Sequence, residues 1–204
     1  MTKFIFCRHG ERSDRGVGVE SVEYWGLTRN GVIEVRKKTE ALIKTIEDAP
    51  NNTAIILGGC SKAIRTKSTL QVFTDELRRI YEKEKGIIFS QPFNSETPLE
   101  TLNAIKALEE ISMRSNASKR KIIIDFPLHI EEFIAQPGQT EKKIAKELLV
   151  GLLMAVGFFQ RFLTSNPLIL VNIGHSIEME ALANFLAKEN GSVHHNCRFS
   201  FTFM

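Results

Sequence analysis

The residues best suited to chemistry form one short segment, Arg8-His9-Gly10-Glu11-Arg12. Arginine stays charged at physiological pH, and its planar guanidinium group matches the oxygens of a phosphate. An imidazole beside such cations is more easily kept neutral, because a second positive charge there is unfavourable. A neutral histidine can attack through one ring nitrogen while the other donates to a backbone carbonyl. The segment therefore indicates nucleophilic chemistry on an anion.

Three further polar groups have the same setting as this segment, because each comes soon after an apolar run. They are Ser61 and Arg65 after the run at 54–57, Glu131 and Glu132 after the run at 122–124, and His175 after the run at 168–173. Compact apolar runs bounded by glycine or polar residues are typical of buried strands. The candidate residues are therefore expected at the ends of strands.

The elements that must position these residues alternate along the chain. Apolar runs predict strands at 3–7, 54–57, 87–89, 122–124, 168–173 and 198–203. Helical spacing predicts helices from Thr28 to Pro50, from Ser61 to about 85, and over about 98–113, 140–164 and 176–188. Thr28 and Ser61 are interpreted as helix caps, and residues 115–118 as a loop.

Alternating strands and helices predict an α/β fold, a three-layer α/β/α sandwich around a mostly parallel sheet. The 204 residues suit a single domain, 1–204. In such sheets, ligands bind at the carboxyl ends of the strands. The four polar groups should therefore converge on one pocket, although they are far apart in sequence. Residues 86–119, which include the predicted strand at 87–89 and the predicted helix at about 98–113, are the least clearly patterned stretch and are interpreted as a variable insertion or a lid.

Composition excludes few classes but points away from several. With 43% hydrophobic residues, 25% charged residues and a net charge of +3, the chain gives no case for binding nucleic acid or a membrane surface. We expect neither a secretory signal nor a spanning helix. Three scattered cysteines suggest no disulfide framework and favour a cytoplasmic protein. The alternating terminal strand could pair with a second copy of the chain, forming a homodimer.

Four motifs in the expected order resemble the histidine phosphatase superfamily, which includes the phosphoglycerate mutases. They are Arg8-His9-Gly10, Leu27-Thr28-x-x-Gly31, Ser61-x-x-x-Arg65-x-x-x-Thr69 and Gly174-His175-Ser176. Each motif alone is weakly specific, but four motifs in the expected order across most of the chain are a strong signal. The motif that begins at Ser61 departs from the family pattern, because Lys62 stands where a proline is usual.

The resemblance implies a phosphoglycerate mutase-like fold and a metal-free reaction without a cofactor. His9 would carry a covalent phosphohistidine, while Arg8, Arg12, Arg65 and His175 would hold the phosphate. The family places a glutamate just beyond its third core strand as the general acid, and the run at 122–124 corresponds to that strand here. Glu132 fits that position best, and Glu131 is the alternative.

Arg12 favours one branch of this superfamily. Arg-His-Gly-Glu-Arg resembles the phosphatases related to T-cell-signalling suppressors and ecdysteroid phosphatases, whereas mutases usually carry a small polar residue after the glutamate. We therefore expect a phosphatase acting on a phosphorylated small molecule or a phosphoprotein. The open alternatives are a mutase, a phosphohistidine-protein phosphatase and a non-catalytic pseudo-phosphatase that only binds phosphorylated ligands.

Ordinary structural roles remain open for the candidate site residues. His9 could be a surface or packing residue, Arg65 a solvated helix arginine, and His175 a capping or core histidine.

Other polar residues also have ordinary alternatives. Arg12 could pair with Asp14 or Glu11 at the surface, and the two loop glutamates could simply be solvated. His194, His195 and Cys197 are more typical of a polar turn than of a metal site, because no fourth ligand has suitable spacing. Cys7 on its apolar strand is expected to be an inert core thiol.

Overall fold

A computed structural model describes residues 2–13, 18–59, 63–83, 86–90, 98–126, 138–163, 166–189 and 199–204. The strands are β1 (Thr2–Arg8), β2 (Ala54–Gly59), β3 (Ile87–Phe89), β4 (Lys121–Asp125), β5 (Leu168–Gly174) and β6 (Phe199–Phe203). The helices are α1 (Arg29–Asp48), α2 (Ile64–Tyr81), α3 (Pro98–Ser118), α4 (Glu141–Phe162) and α5 (Ser176–Glu189).

The six strands form one sheet in the order β3-β4-β2-β5-β1-β6, and every pairing is parallel. β1 and β2 are therefore not neighbours, because β5 lies between them. β6 lies at the edge beside β1, where the ring of Phe201 stacks 5.1 Å from that of Phe4. The α/β fold predicted from the sequence is confirmed.

Both faces of the sheet are covered, which explains why its central strands are almost entirely apolar. Ile5 and Ile55 face α1 and α2 in one core, whereas Phe4 and Ile56 face α3, α4 and α5 in the other. The result is a three-layer α/β/α sandwich. None of the helices in the described ranges is long and apolar enough to cross a bilayer.

One of the two predicted helix caps is confirmed. Thr28 caps α1, and its hydroxyl accepts a hydrogen bond from the backbone N–H of Gly31 at 3.0 Å. The prediction for Ser61 was wrong, because α2 begins at Ile64 with Ala63 as its cap and no side-chain hydrogen bond there. Ser61 itself lies outside the described residues, and it precedes the cap position by two residues.

The loop predicted at 115–118 was also wrong, since α3 continues to Ser118. The hydroxyl of Ser118 donates to the carbonyl of Arg114 at 2.6 Å, so this polar side chain is satisfied within the helix. The hydroxyl of Ser115 donates to the carbonyl of Arg120 at 2.6 Å. Within 86–119, the described residues form β3, which pairs with β4, and α3, which packs on the sheet.

Candidate active site

The two histidines lie together because β1 and β5 are paired in register. Arg8 at the end of β1 is the partner of Gly174 at the end of β5, so His9 and His175 leave the sheet side by side. The backbone N–H of His9 donates to the carbonyl of Gly174 at 3.1 Å, which extends the pairing by one residue. The centres of the two imidazole rings are 5.1 Å apart.

Arg65 joins the two histidines from the other side of β5. It lies in the first turn of α2, which follows β2, and β2 is the other neighbour of β5. Its Nε donates to Nε2 of His9 at 3.2 Å, and its Nη2 lies 3.3 Å from Nδ1 of His175. The predicted convergence of these three side chains is confirmed, although their chemical roles stay predictions.

The orientation of the His9 ring follows from its two hydrogen bonds. Nδ1 lies 2.7 Å from the carbonyl oxygen of Gly10, and a carbonyl can only accept. Nδ1 therefore carries the ring hydrogen, and Nε2 presents its lone pair to the guanidinium group of Arg65. This is the orientation expected of a nucleophilic histidine, with one nitrogen anchored and the other directed into the site.

Both imidazoles are held neutral at physiological pH. Burial is the largest cause for His9 and lowers its pKa from 6.5 to about 4, with further lowering by Arg65, His175 and Arg8. The hydrogen bond to the Gly10 carbonyl opposes this shift. Burial likewise lowers the pKa of His175 to about 4, helped by Arg65 and Arg12. The sequence argument invoked only the cations, whereas desolvation contributes more.

Arg8 and Arg12 lie close enough to affect the histidine pKa values, but they are placed differently. The Arg8 side chain is exposed at the end of β1, and Nζ of Lys38 donates to its carbonyl at 3.0 Å. Arg12 forms an isolated antiparallel bridge with Leu27. Their assignment as phosphate ligands stays a prediction.

Several residues of the sequence hypothesis lie outside the described residues. They are Asp14, Cys60, Ser61, Lys62, Glu131, Glu132, His194, His195 and Cys197. Among the described residues, no group of three or more His, Cys, Asp or Glu side chains could hold a metal ion. Cys7 is fully buried, and burial raises its pKa to about 11, which is the behaviour of an inert core thiol.

The loop that carries His9 is packed directly against the start of α1. A Cβ on Gly31 would lie 2.5 Å from the carbonyl oxygen of Glu11, and one on Gly10 would lie 2.8 Å from the carbonyl oxygen of Gly31. The backbone N–H of Thr28 donates to the carbonyl of Glu11 at 2.9 Å, and its hydroxyl donates to the Glu11 carboxylate. Glycine at 10 and 31 permits this contact.

Glu178 is a site residue that the sequence reasoning missed. Its buried carboxylate accepts a hydrogen bond from the backbone N–H of His175 at 3.1 Å, while the carbonyl of His175 accepts from Met179 at 3.2 Å. A glutamate three residues after the cap position is the spacing of a capping box. That spacing in His175-Ser176-Ile177-Glu178 was the available signal.

Comparison of the chain with protein-family models, with curated proteins and with solved structures found no match. The likeness to histidine phosphatases therefore depends on the four motifs alone. The geometry around His9, Arg65 and His175 is an independent observation, because the contacts and pKa shifts owe nothing to that likeness.

Proposed function

We propose that the protein is a metal-independent phosphomonoester hydrolase that works through a covalent phosphohistidine on His9. One observation carries the proposal: neutral His9 has Nδ1 bound to a backbone carbonyl, and Nε2 lies 3.2 Å from the guanidinium Nε of Arg65. A nucleophile whose lone pair has a fixed direction thus lies beside a permanent cation. Phosphoryl transfer needs that combination of alignment and charge neutralisation.

The first step of the proposed reaction begins when a phosphate group enters and becomes the partner of the guanidinium group in place of the imidazoles. The Nε2 lone pair of His9 then forms a bond to phosphorus as the ester P–O bond breaks. The leaving oxygen takes a proton from a carboxylic acid, for which Glu132, or alternatively Glu131, is the proposed residue.

The second step returns the enzyme to its starting state. Water attacks phosphorus, the P–N bond to His9 breaks, and inorganic phosphate leaves. The carboxylate that lost its proton in the first step takes one from the attacking water. His175, Arg8 and Arg12 are proposed to hold the phosphoryl oxygens in both steps, and a histidine that stays neutral does this as a hydrogen-bond donor.

The proposed substrate is a phosphorylated small molecule or a phosphoprotein, and the proposed location is the cytoplasm. The three scattered cysteines support the location, because they suggest no disulfide framework. The presence of Arg12 supports hydrolysis over mutase transfer, since a further guanidinium group beside His175 would hold the phosphate more firmly.

The test is hydrolysis of p-nitrophenyl phosphate at mildly acidic pH with EDTA present, comparing the wild-type chain with His9→Ala. The wild type should turn over, and the variant should lose at least roughly a thousandfold in kcat. Rapid quenching in alkali should trap a phosphohistidine in the wild type only. Arg79→Ala controls for effects of substitution and purification that are unrelated to the site, because Arg79 is exposed on α2 and pairs with Glu76.

Two results would refute the proposal. One is turnover by His9→Ala close to that of the wild type, with the same melting temperature. The other is a folded wild type that hydrolyses neither the aryl phosphate, nor a phosphohistidine protein, nor 2,3-bisphosphoglycerate. A preference for one of the last two substrates would identify the corresponding alternative within the same chemistry.

A further inference from the structure

The hydroxyl group of Thr69 joins two parts of the candidate site that are far apart in sequence. Thr69 lies in the second turn of α2 and is completely buried. Its Oγ1 accepts a hydrogen bond from the backbone N–H of Gly10 at 3.0 Å. The same oxygen donates its hydrogen to the carbonyl of Arg65 at 2.7 Å.

These two bonds complete a closed circuit around the candidate nucleophile. The carbonyl of Gly10 holds Nδ1 of His9 at 2.7 Å, and Nε2 of His9 accepts from Arg65 at 3.2 Å. The circuit thus passes from His9 through Gly10, Thr69 and Arg65 back to His9. One buried hydroxyl fixes the backbone behind the imidazole relative to the backbone behind the guanidinium group.

A hydrogen bond from threonine to the carbonyl four residues earlier is common within helices and needs no functional reason. Thr39 in α1 is such a case, since its buried hydroxyl donates to the carbonyl of Val35 at 3.0 Å. Thr69 differs because its oxygen also accepts from Gly10, which is 59 residues away. That second bond leads to the loop of His9 and nowhere else.

We propose that Thr69 is a positioning residue that sets the separation of the His9 nucleophile from the Arg65 cation through its hydroxyl. The inference rests on the proposed phosphatase reaction. The hydroxyl does not touch the substrate in this scheme. It acts through Gly10 and Arg65, so its loss should disturb the alignment of the nucleophile more than the binding of phosphate.

The experiment compares three variants on p-nitrophenyl phosphate. Thr69→Val keeps the shape but removes the hydroxyl, and Thr69→Ser keeps the hydroxyl. Thr39→Val removes a buried hydroxyl whose hydrogen bond, among the described residues, stays within its own helix. For Thr69→Val, we expect kcat to fall by roughly 10- to 100-fold, with KM changed less than about threefold. Thr69→Ser should retain at least about a third of wild-type kcat, and Thr39→Val should stay within about twofold.

A second measurement separates this inference from the phosphatase proposal, because it needs no turnover. NMR titration of the histidine rings should place the pKa of His9 at about 4 in the wild type and in Thr39→Val. In Thr69→Val it should rise towards 6.5, because the ring is less firmly held beside Arg65 and becomes more hydrated. Thr69→Ser should titrate like the wild type.

The positioning role would be overturned if folded Thr69→Val kept wild-type kcat and an unchanged His9 titration. It would also be overturned if Thr69→Ser were as impaired as Thr69→Val, since the methyl group would then matter rather than the hydroxyl. If no form of the protein hydrolyses phosphate esters, the phosphatase proposal fails. The NMR comparison then still decides whether Thr69 positions His9.

Discussion

Arg65 is the residue on which the candidate site depends most, because one guanidinium group contacts both imidazoles. Its Nε and Nη2 reach His9 and His175 at 3.2 and 3.3 Å, respectively. This division of donors uses the planar fork of arginine, which a single ammonium group does not offer. The same cation also helps to lower the pKa of both histidines.

Replacing Arg65 with lysine should therefore be far from conservative. We expect kcat/KM on an aryl phosphate to fall by about 10- to 100-fold, which corresponds to about 1.4–2.7 kcal/mol of lost transition-state stabilisation. The reason is that lysine keeps the charge but cannot donate to both histidines or to two phosphate oxygens at once. Steady-state kinetics at a fixed pH would measure the loss.

Arg79→Lys is the control for this substitution on the same helix. Arg79 is exposed, and within the described part of the chain its guanidinium group donates to Glu76 alone, at 2.9 and 3.1 Å, so its replacement should change kcat/KM by less than about twofold. Equal effects of the two substitutions would contradict the role given to Arg65. Wild-type activity in Arg65→Lys would contradict it as well.

At the scale of elements, the contact between the start of α1 and the His9 loop is too close for any side chain. Gly31 in the first turn of α1 faces the backbone of Glu11, and backbone atoms cannot move aside as a flexible side chain can. The Thr28 cap and its bonds to Glu11 hold the same two segments together. A helix start thus supports the loop that carries His9.

Gly31→Ala should destabilise the protein and also reduce activity. Its Cβ would lie 2.5 Å from the Glu11 carbonyl oxygen, so α1 and the loop must separate, at a cost of roughly 1–3 kcal/mol. Gly157→Ala in α4 is the matched control, because nothing lies within 4 Å of its added Cβ.

That control should stabilise the protein by about 0.5–1 kcal/mol, since alanine is the better helix former. Urea unfolding would measure the effect of each substitution on the free energy of unfolding. The close contact would be disproved if the two variants changed the free energy of unfolding in the same direction.

At the scale of the whole molecule, buried titratable groups limit the pH range of greatest stability. The pKa values of His9 and His175 are lowered by burial from 6.5 to about 4, so the unfolded chain binds protons more readily between these values. Stability should therefore fall as pH drops below about 6.5. Burial raises the pKa of Asp125, so this carboxyl group binds a proton more readily in the folded chain than in the unfolded chain. Its contribution to stability therefore increases as the pH falls, opposite to that of the two histidines.

The alkaline limit has the reverse origin. Burial raises the pKa of Cys7 from 9.0 to about 11 and that of Tyr24 from 10.0 to about 12. As the pH rises, the unfolded chain loses these two protons at a lower pH than the folded chain does. Stability should therefore fall as the pH rises above about 9. Between the two limits, the free energy of unfolding should change little with pH on account of these groups.

Urea unfolding at pH values on both sides of these limits would test this profile. His175→Asn should reduce the loss of stability in acid while leaving the alkaline limb unchanged, because asparagine does not titrate. Cys7→Ala should reduce the alkaline loss, even if the smaller side chain lowers stability at every pH. A wild-type profile without an acidic decline would contradict the lowered histidine pKa values.

The amino-acid sequence by itself determined which segments form strands and helices and which polar residues follow the strands. Apolar runs are local signals for buried strands, and the Thr28 cap depends on a hydrogen bond between residues only three positions apart in sequence. The order of strands and helices along the chain, and hence the α/β class, follows from such signals. Local reasoning failed at 115–118, where the hydroxyl of Ser118 bonds within the helix and that of Ser115 bonds to the carbonyl of Arg120, so neither serine ends α3 early.

The parallel sheet predicted from the sequence implied that the strand ends converge, but only the tertiary structure decided the order in which the strands lie side by side. The insertion of β5 between β1 and β2 brings His9, His175 and Arg65 together, and no periodicity in the sequence specifies that order. The bond from Gly10 to Thr69 and the desolvation that lowers the histidine pKa values likewise arise from packing. The physical reason is that strand order, burial and hydrogen bonds across 59 residues depend on the whole chain folding around both faces of one sheet.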